Sequence, residues 1–364
     1  NSFGFGGNNA SVVIRSIKGN GNPVLLKKTA PLEVIGCECI TGAGGTTSTL
    51  NRFLKGETCY GVFPIADLSE NLPPRLIRRL KRLPQMALAL ADSLQKNTVS
   101  FQPPSSVFWG TGWGALSETY DFLTKLFESN EKFTSPTDFI GSVHNAAAGQ
   151  VAMYLKSKGT NITTTGGDYS FEQALLSAGL LHPVNTDETV LVLGADEHHT
   201  KLSGLFDGSV SKTHKKSDGG GALLLKRSDA PKGLCISSCF YERAEHHPDI
   251  IQALIHSLGN PEQIDRKFGA LLVGIPASLR ECGEKQVREF LKQTRFDKPV
   301  IDYRKYIGEY ASASAAAAVL GIKLLQMNRI PAGLSGERDI DLNGKGVLLI
   351  GTGTYVTAIE IFQS

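Results

Sequence analysis

Residues 163–175, TTTGGDYSFEQAL, predict a strand that turns sharply into a helix. Its threonines favour a β-strand, the pair Gly166-Gly167 favours a tight corner, and the sequence that follows predicts a helix. Enzymes use this strand–corner–helix arrangement to expose a nucleophile at a helix N-terminus, where free backbone N–H groups and the helix dipole stabilise negative charge. The corner residue is Asp168, which is neither a cysteine nor a serine. The function of the chain therefore depends on what a carboxylate does there.

Strand and helix patterns alternate along the rest of the chain. Predicted strands lie at 32–35, 107–112, 189–197, 222–226, 234–240, 271–274, 300–301, 347–353 and 357–362. Predicted helices lie at 47–54, 75–94, 144–155, 248–258, 284–294 and 312–327, and Pro84 suggests that a second helix starts within 75–94. This alternation predicts an α/β fold in which mixed sheets are layered between helices, in two similar halves. We place these halves at 29–229 and 230–364, after an N-terminal segment at 1–28.

The composition excludes several classes of protein. The 364 residues are 41% hydrophobic and 20% charged, with 39 glycines, which is typical of a globular protein with many tight turns. A net charge of +3 without an aromatic–basic stripe argues against a nucleic-acid partner. No apolar run reaches the roughly 20 residues of a membrane-spanning helix, and the N-terminal residues do not form a signal peptide. We expect a cytoplasmic protein without a membrane span.

The cysteines and histidines do not form a metal-site pattern. No C-x-x-C pair occurs, and the adjacent pairs His198-His199 and His246-His247 lack the spacing of three or four that places ligands on one helix face. We therefore expect no metal and no cofactor. The histidines should have surface or capping roles, and the cysteines should be thiols of the core. The residues concerned are His144, His182, His198, His199, His214, His246, His247 and His256, with Cys37, Cys39 and Cys282 as the candidate free thiols.

Two glycine-rich stretches are better explained by packing than by phosphate binding. Gly110-Thr111-Gly112 and Gly219-Gly220-Gly221 have neither a following Lys-Ser/Thr pair nor the G-x-G-x-x-G spacing of a nucleotide loop. Close approach of neighbouring backbones is our interpretation of both.

The chain ends carry a shared pattern, and one end resembles a known family. Residues 1–10, NSFGFGGNNA, resemble almost letter for letter the closing motif of β-ketoacyl-acyl-carrier-protein synthases. At an offset of 347 residues, four positions of the N-terminal segment match the C-terminal segment: Gly4 with Gly351, Gly6 with Gly353, Val12 with Ile359 and Ile14 with Ile361. We interpret residues 1–17 as the tail of a preceding, related unit.

Residues 31–364 resemble one further ketosynthase unit, in the family's order. The stretch 32–45 is similar to the first strand and loop, 144–163 to the approach to the nucleophile, and 192–197 to the glycine–acid strand after it. Residues 308–321 resemble the Gly-His helix region, and 350–361 the closing hairpin. The resemblance implies a thiolase-like α-β-α-β-α sandwich that is normally dimeric.

The family's three catalytic positions are replaced in this sequence. Ketosynthases use a cysteine that carries the acyl group and two histidines that assist decarboxylation of malonyl. The resemblance places the cysteine position at Asp168, one histidine position at Glu309, and the other in the loop 273–278, where Gly274-Ile275-Pro276-Ala277 has no histidine. Asp168 suits a helix N-terminus, for example as an N-cap, but it cannot form a thioester. We assign no catalytic residue; Asp168 and Glu309 are the candidate site positions.

Three hypotheses about function follow from the resemblance. The leading one is a non-catalytic, chain-length-factor-like partner of an active β-ketoacyl synthase in fatty acid, polyketide or polyene biosynthesis. It implies an active ketosynthase and an acyl carrier protein as partners, in a homo- or heterodimer. The alternative is a divergent acyl-transfer or malonyl-decarboxylating enzyme that uses Asp168 and Glu309 as paired acid and base, with Ser170 as a weaker candidate nucleophile. The third is a homodimeric acyl-binding or scaffold protein.

The basic segment Arg78, Arg79, Lys81 and Arg82 bears on the partners. A solvated helix face is the simpler interpretation, and docking of an acidic partner is the other.

Overall fold

The computed structural model describes residues 29–132, 135–181, 187–208 and 216–364, together with the backbone of Ser2–Phe3 and Asn9–Ala10. Within these residues the longer strands are β1 (Leu32–Thr41), β2 (Ser106–Gly110), β3 (Asn161–Thr164), β4 (Thr189–Asp196), β5 (Gly219–Arg227), β6 (Leu234–Arg243), β7 (Phe268–Gly274), β8 (Val300–Asp302), β9 (Gly346–Gly351) and β10 (Tyr355–Gln363).

The described helices are α1 (Thr46–Phe53), α2 (Ile65–Ser69), α3 (Pro74–Ile77), α4 (Arg82–Asn97), α5 (Leu116–Glu128), α6 (Pro136–Ser142), α7 (Ala146–Leu155), α8 (Ser170–Leu181), α9 (Ser203–Phe206), α10 (Ile250–Leu258), α11 (Pro261–Lys267), α12 (Arg280–Thr294), α13 (Arg304–Ile307), α14 (Ala313–Met327) and α15 (Ala332–Ser335).

The strands form two arrays with the same topology. The first has the order β1-β5-β4-β2-β3 and the second the order β6-β10-β9-β7-β8. In each array the first three strands pair antiparallel and the last three pair parallel. The predicted two similar halves with mixed sheets are therefore confirmed. The arrays also join, because Leu32 and Glu33 of β1 pair with Ile236 and Cys235 of β6. The division of the chain at residue 229 stays a prediction.

Helices sit between the two arrays and on both outer faces. The middle layer is α8 and α14, which contact strands of both arrays. Helices α4 and α7 cover the outer face of the first array, and α10, α11 and α12 cover that of the second. Strands β4 and β9 are buried throughout because helices cover them on both sides. This is the predicted α-β-α-β-α layering.

The alanine-rich sequence of α14 is explained by its place in the middle layer. Its first ten residues are fully buried, and small side chains let the strands approach it closely. A Cβ on Gly221 would lie 2.3 Å from the carbonyl oxygen of Ala315, and one on Gly194 would lie 2.9 Å from the Cβ of Ala315. Close packing therefore accounts for these glycines, as we predicted for 219–221.

The helical segment predicted at 75–94, in which Pro84 suggested the start of a second helix, is divided into two helices, and the second begins two residues before Pro84. Helix α3 ends at Ile77 and α4 begins at Arg82, with Pro84 in the first turn of α4, where a missing N–H costs no hydrogen bond. The basic segment therefore spans the break between two helices. Arg82 is not on a solvated face: its side chain is 11% exposed and is paired with the buried Asp218.

Some sequence-based expectations lie outside the described residues. Ser2–Phe3 pairs antiparallel with Asn9–Ala10, but the rest of 1–28, including the positions matched at the offset of 347 residues, is not described. His182 and His214 are also outside the described residues. Among the residues that are described, no helix is both long enough and apolar enough to cross a membrane.

Candidate functional site

The corner predicted between a strand and a helix is present. Strand β3 ends at Thr164, Gly167 adopts a φ of +58° that glycine tolerates, and the 3₁₀ turn Gly167–Tyr169 leads into α8. Asp168 is the middle residue of that turn. The predicted geometry of the corner is therefore confirmed.

Ser170 holds the corner together. Its hydroxyl accepts a hydrogen bond from the backbone N–H of Gly166 at 2.9 Å and donates one to the carbonyl of Gly167 at 2.7 Å. Its own carbonyl accepts from the hydroxyl of Thr164 at 2.9 Å. The hydroxyl is buried and its proton is directed at a carbonyl rather than at a base. These contacts give Ser170 a structural role and no activation as a nucleophile.

Asp168 forms an ion pair with Arg304, on the short helix α13. The Oδ1 atom of Asp168 lies 2.7 Å from the Nη2 atom of Arg304. The side chain of Arg304 is 2% exposed and that of Asp168 is 23% exposed. The sequence led us to expect that Asp168 caps α8. The carboxylate instead pairs with the buried guanidinium, which is a stronger, charge-assisted partner.

Glu309 pairs with the same arginine. Its Oε2 atom lies 3.1 Å from the Nη1 atom of Arg304 and accepts a hydrogen bond from the backbone N–H of Ala277 at 3.3 Å. Arg280 adds a more distant charge, with its Nη2 atom 3.9 Å from Oε1 of Glu309. The structure thus brings together the three segments that the resemblance singled out: the corner, the loop at 274–277 and the Gly308-Glu309 pair.

Gly308 is required for this convergence. Its φ is +95°, and a Cβ there would lie 2.1 Å from the Oγ atom of Ser217. The chain can therefore turn between α13 and Glu309 only without a side chain, and this turn places both Arg304 and Glu309 on the same side as Asp168.

The electrostatics of the cluster Asp168–Arg304–Glu309, here called the ion triad, are set by burial. Burial raises the pKa of both carboxyl groups, and the positive charge of Arg304 opposes this rise. Burial alone would lower the pKa of Arg304, but the charges of Asp168 and Glu309 raise it well above its ordinary value. Arg304 also donates to the carbonyl of Tyr310 at 3.2 Å. The guanidinium therefore stays charged and fixed.

A second buried carboxyl group, which the sequence analysis missed, lies one turn further along α8. Glu172 is 1% exposed and accepts a hydrogen bond from the hydroxyl of Ser314 on α14 at 2.8 Å. Burial raises the pKa of Glu172 to about 7. Its position in the first turn of the predicted helix, four residues after Asp168, was the available indication.

Asp196 fastens the loop after β2 to the start of α14. It accepts hydrogen bonds from the hydroxyl of Thr111 at 2.7 Å, from the backbone N–H of Trp113 at 2.7 Å and from the backbone N–H of Ser312 at 2.8 Å. The aspartate is fully buried, and these donors replace its lost hydration. The glycine–acid strand thus ends in a structural anchor.

The loop after β2 packs directly against the corner. A Cβ on Gly110 would lie 2.5 Å from the carbonyl oxygen of Ser170, and one on Gly112 would lie 2.6 Å from that of Gly167. Close backbone packing therefore explains Gly110 and Gly112, as predicted.

The thiols and histidines stand apart from the ion triad. Cys37 and Cys39 are buried, as expected for core thiols, but Cys282 is exposed because its position on α12 faces away from the core. His199 has a capping role, since its Nδ1 atom accepts from the backbone N–H groups of Lys201 and Leu202. Among the described residues, no three His, Cys, Asp or Glu side chains are grouped so that they could hold a metal ion.

Arg304 is the residue of the site that the sequence analysis missed. It lies in the stretch Tyr303-Arg304-Lys305, where a single arginine before Glu309 resembles any exposed helical cation. Only the fold shows that its side chain points inward toward two carboxylates.

Comparisons with known proteins agree with the geometry. Residues 64–217 match the family model described as β-ketoacyl synthase, N-terminal domain. The chain is ketosynthase-like in sequence and fold. The family resemblance read from the sequence, with its thiolase-like fold, is therefore confirmed. No curated protein matches the sequence.

Three solved structures share the fold at low sequence identity. The ishigamide ketosynthase/chain length factor has a TM-score of 0.68 and 17% identity, covering 92% of this chain and 99% of its own. A β-ketoacyl synthase from Burkholderia phymatum STM815 has a TM-score of 0.69 and 14% identity, and the match covers 92% of this chain and 100% of that structure's chain. A structure of a type II polyketide synthase acyl carrier protein in complex with its ketosynthase gives a TM-score of 0.70 and 14% identity. The match covers 92% of this chain and 100% of that structure's chain. At these identities the likeness shows the fold alone.

Proposed function

We propose that this chain is a non-catalytic, chain-length-factor-like partner of an active β-ketoacyl synthase. The observation that carries the proposal is the ion triad at Asp168, the position that the resemblance assigns to the ketosynthase nucleophile. A carboxylate cannot carry an acyl group as a thioester, and both carboxylates of the triad are engaged by Arg304. The corner keeps the shape of a nucleophile site, but the partner ketosynthase carries out the condensation reaction.

The ion triad is also costly to open. Removing one partner of a buried ion pair leaves an uncompensated charge, which typically costs about 3–5 kcal/mol. A substrate that displaced Arg304 from Asp168 would have to offset that cost. This supports a site that is locked in a structural role.

Two features support the proposed partners. Strand β3 is at the end of the first array, so one of its edges has no strand partner among the described residues. An open edge is suited to pairing with another subunit, which supports a homo- or heterodimer. Positive charge is exposed around the break between α3 and α4, on Arg75, Arg78, Arg79 and Lys81. This charge suits an acidic acyl carrier protein.

The pathway and the compartment are part of the proposal. The solved structures of the same fold include a ketosynthase/chain length factor and a type II polyketide synthase complex with an acyl carrier protein. We infer a role in the assembly of a polyketide, polyene or fatty acid chain. The cysteines of the described residues are not joined in disulfides, which suits the proposed cytoplasmic location.

One observation favours the alternative of a divergent enzyme. Asp168 is 23% exposed, so solvent or a substrate reaches one carboxylate of the pair, and burial raises the pKa of both Asp168 and Glu309 in the direction that acid–base catalysis uses. An acyl-transfer or malonyl-decarboxylating reaction would then use these two groups.

Co-expression with the ketosynthase and acyl carrier protein of the same organism tests the proposal. We expect the tagged chain to co-purify with the ketosynthase, and condensation activity to require the cysteine of that partner only. Condensation by the pair should survive Asp168→Asn, which keeps the shape of the side chain. The control is Asp339→Asn, which alters an exposed ion pair.

The same experiment separates the hypotheses. If the isolated chain decarboxylates malonyl thioesters or becomes acylated, and Asp168→Asn abolishes this, the divergent enzyme replaces our proposal. If no ketosynthase associates and the isolated chain is a dimer with a bound acyl ligand, the scaffold hypothesis replaces it.

A further inference from the structure

The turn that leads into β9 carries an Asn-Gly pair. The backbone N–H of Lys345 donates to the carbonyl of Leu342 at 2.9 Å, which closes the turn. Its two central residues are Asn343 and Gly344, with φ angles of +52° and +72°. Both angles lie in the left-handed region, as in a type I′ turn, which asparagine and glycine tolerate better than other residues do. Both residues are exposed to solvent.

An exposed Asn-Gly pair can react within the chain. The main-chain nitrogen of Gly344 loses its proton and attacks the side-chain carbonyl carbon of Asn343, and glycine resists this approach least because it has no Cβ. A bond forms between that nitrogen and Cγ, the bond from Cγ to Nδ2 breaks, and Nδ2 leaves as ammonia. Water then opens the five-membered imide at either carbonyl, which gives aspartate or isoaspartate. The turn therefore contains every reacting atom except those of water.

Neighbouring side chains hold both reacting groups. Asn328, the residue that follows α14, accepts a hydrogen bond at its Oδ1 atom from the backbone N–H of Gly344 at 2.9 Å. Its Nδ2 atom donates to Oδ1 of Asp341 at 3.0 Å. The backbone N–H of Asn343 donates to the same oxygen at 2.6 Å, and Nδ2 of Asn343 donates to the carbonyl of Asp341 at 3.3 Å. The attacking nitrogen and the amide under attack are thus both engaged.

We propose that Asn343 is a site of spontaneous deamidation and that Asn328 controls its rate. The N–H of Gly344 must leave Oδ1 of Asn328 before the nitrogen can lose its proton and attack. Such local opening precedes the reaction and needs no global unfolding. The turn is separate from the ion triad, so this proposal does not depend on the proposed function.

Deamidation should weaken the turn. The aspartate product has lost the amide donor to the carbonyl of Asp341 and places a second negative charge beside that residue, so the two carboxylates repel. The isoaspartate product also lengthens the main chain of the turn by a methylene group, which a two-residue turn does not accommodate. Because Asp341 also holds Asn328, the loss extends to the end of α14.

Incubation of the full chain at pH 8, folded and in guanidinium chloride, tests the control by Asn328. Mass spectrometry of the peptide that contains residue 343 measures the rate of conversion from amide to acid. We expect the folded chain to react severalfold more slowly than the unfolded chain. Asn328→Gly permits the φ of +52° but removes both side-chain hydrogen bonds, so it should bring the folded rate close to the unfolded rate. Asn130→Gly is the matched control, since Asn130 is exposed and has a φ of +49°, and it should leave the rate unchanged.

Two variants at residue 343 separate the reaction from a folding defect in Asn328→Gly. Asn343→Asp is the aspartate product and should lower the melting temperature by about 2 °C. Asn343→Gly permits the left-handed turn and has no amide, so it should abolish the reaction without lowering the melting temperature. Equal rates in the folded and unfolded unmodified chains, an unchanged rate in Asn328→Gly, or an unchanged melting temperature in Asn343→Asp would each overturn the proposal.

Discussion

The Oδ1 atom of Asp168 lies 2.7 Å from the Nη2 atom of Arg304, although 136 residues separate the two in the sequence. This contact joins a corner in the first half of the chain to a short helix in the second. It puts a fixed positive charge beside Asp168, at the position that the resemblance to ketosynthases assigns to the nucleophile. Its contribution to stability and its effect on chemistry at the corner can both be measured.

Replacing Arg304 should destabilise the protein more than replacing an exposed arginine. Arg304→Met leaves Asp168 and Glu309 buried without a counter-charge, so we expect the free energy of unfolding to fall by about 3–5 kcal/mol. Arg329→Met is the control, because Arg329 and its partner Asp339 are about half exposed, and such pairs contribute about 0–1 kcal/mol. Urea denaturation measures both. Equal losses in the two variants would show that the ion triad is not a buried charge cluster.

A triple variant sharpens this test. Adding Asp168→Asn and Glu309→Gln to Arg304→Met removes all three charges, so much of the lost stability should return. If the triple variant were less stable than Arg304→Met, the loss in the single variant would have come from packing rather than from uncompensated charge.

Restoring a cysteine at the corner should produce a reactive thiol without restoring the synthase reaction. In Asp168→Cys the thiol would lie beside Arg304 and at the N-terminus of α8, and both favour the thiolate. We expect its pKa to fall below the ordinary value of about 8.5. Alkylation by iodoacetamide as a function of pH, followed by mass spectrometry of each cysteine, measures this. Condensation should stay absent because the two positions that the resemblance assigns to the catalytic histidines, Glu309 and the loop 274–277, carry no histidine.

The exposed thiol of Cys282 serves as the internal control for that measurement. An alkylation midpoint at residue 168 equal to or above that of Cys282 would contradict the electrostatic argument. Recovery of condensation by Asp168→Cys alone would contradict the proposal that the site has lost its chemistry.

Much of the fold, and part of the site, could be predicted from the sequence. Strands such as β4 and β9 are continuous apolar runs, and the glycines at the corner indicate a turn. Local sequence was therefore sufficient to predict these strands and the corner. The ion triad could not be predicted, because the pairing of Arg304 with Asp168 depends on how two distant segments pack. Pro84 indicated that a second helix begins near it, but the pairing of Arg82 with Asp218 could not be predicted, because it is a tertiary contact.

Glu172 should make stability depend on pH. Its pKa is about 7 in the folded protein, against an ordinary value of 4.5, so the folded state binds a proton more tightly than the unfolded state. Between these two values, stability should therefore fall as the pH rises. Glu172→Gln keeps an acceptor for Ser314 and removes the charge, so it should gain about 1–3 kcal/mol relative to the unmodified protein at pH 8 and little at pH 4.5.

Urea unfolding of both proteins at pH 4.5 and pH 8 checks this dependence. Glu128→Gln, at an exposed position, should show the same pH profile as the unmodified chain. If Glu172→Gln were equally destabilising at both pH values, the carboxyl group would be acting as a hydrogen-bond partner and not as a buried charge.

The packing of the loop after β2 against the corner gives a last prediction. In Gly112→Ala the new Cβ would lie 2.4 Å from the Cβ of Ala311 and 2.6 Å from the carbonyl oxygen of Gly167. Backbone on both sides would have to move, so we expect a loss of about 1–3 kcal/mol. Gly149→Ala is the matched control, because a Cβ on Gly149 meets no atom within 4 Å and the residue lies inside α7.

The control should be slightly stabilising, since alanine favours a helix over glycine by up to about 1 kcal/mol. Opposite signs for the two Gly→Ala changes, measured as melting temperatures, would show that the corner and the loop are held in contact by backbone packing. That contact and the ion triad would then both hold the strand–corner–helix geometry in place. A neutral Gly112→Ala would instead show that the loop is free to move away from the corner.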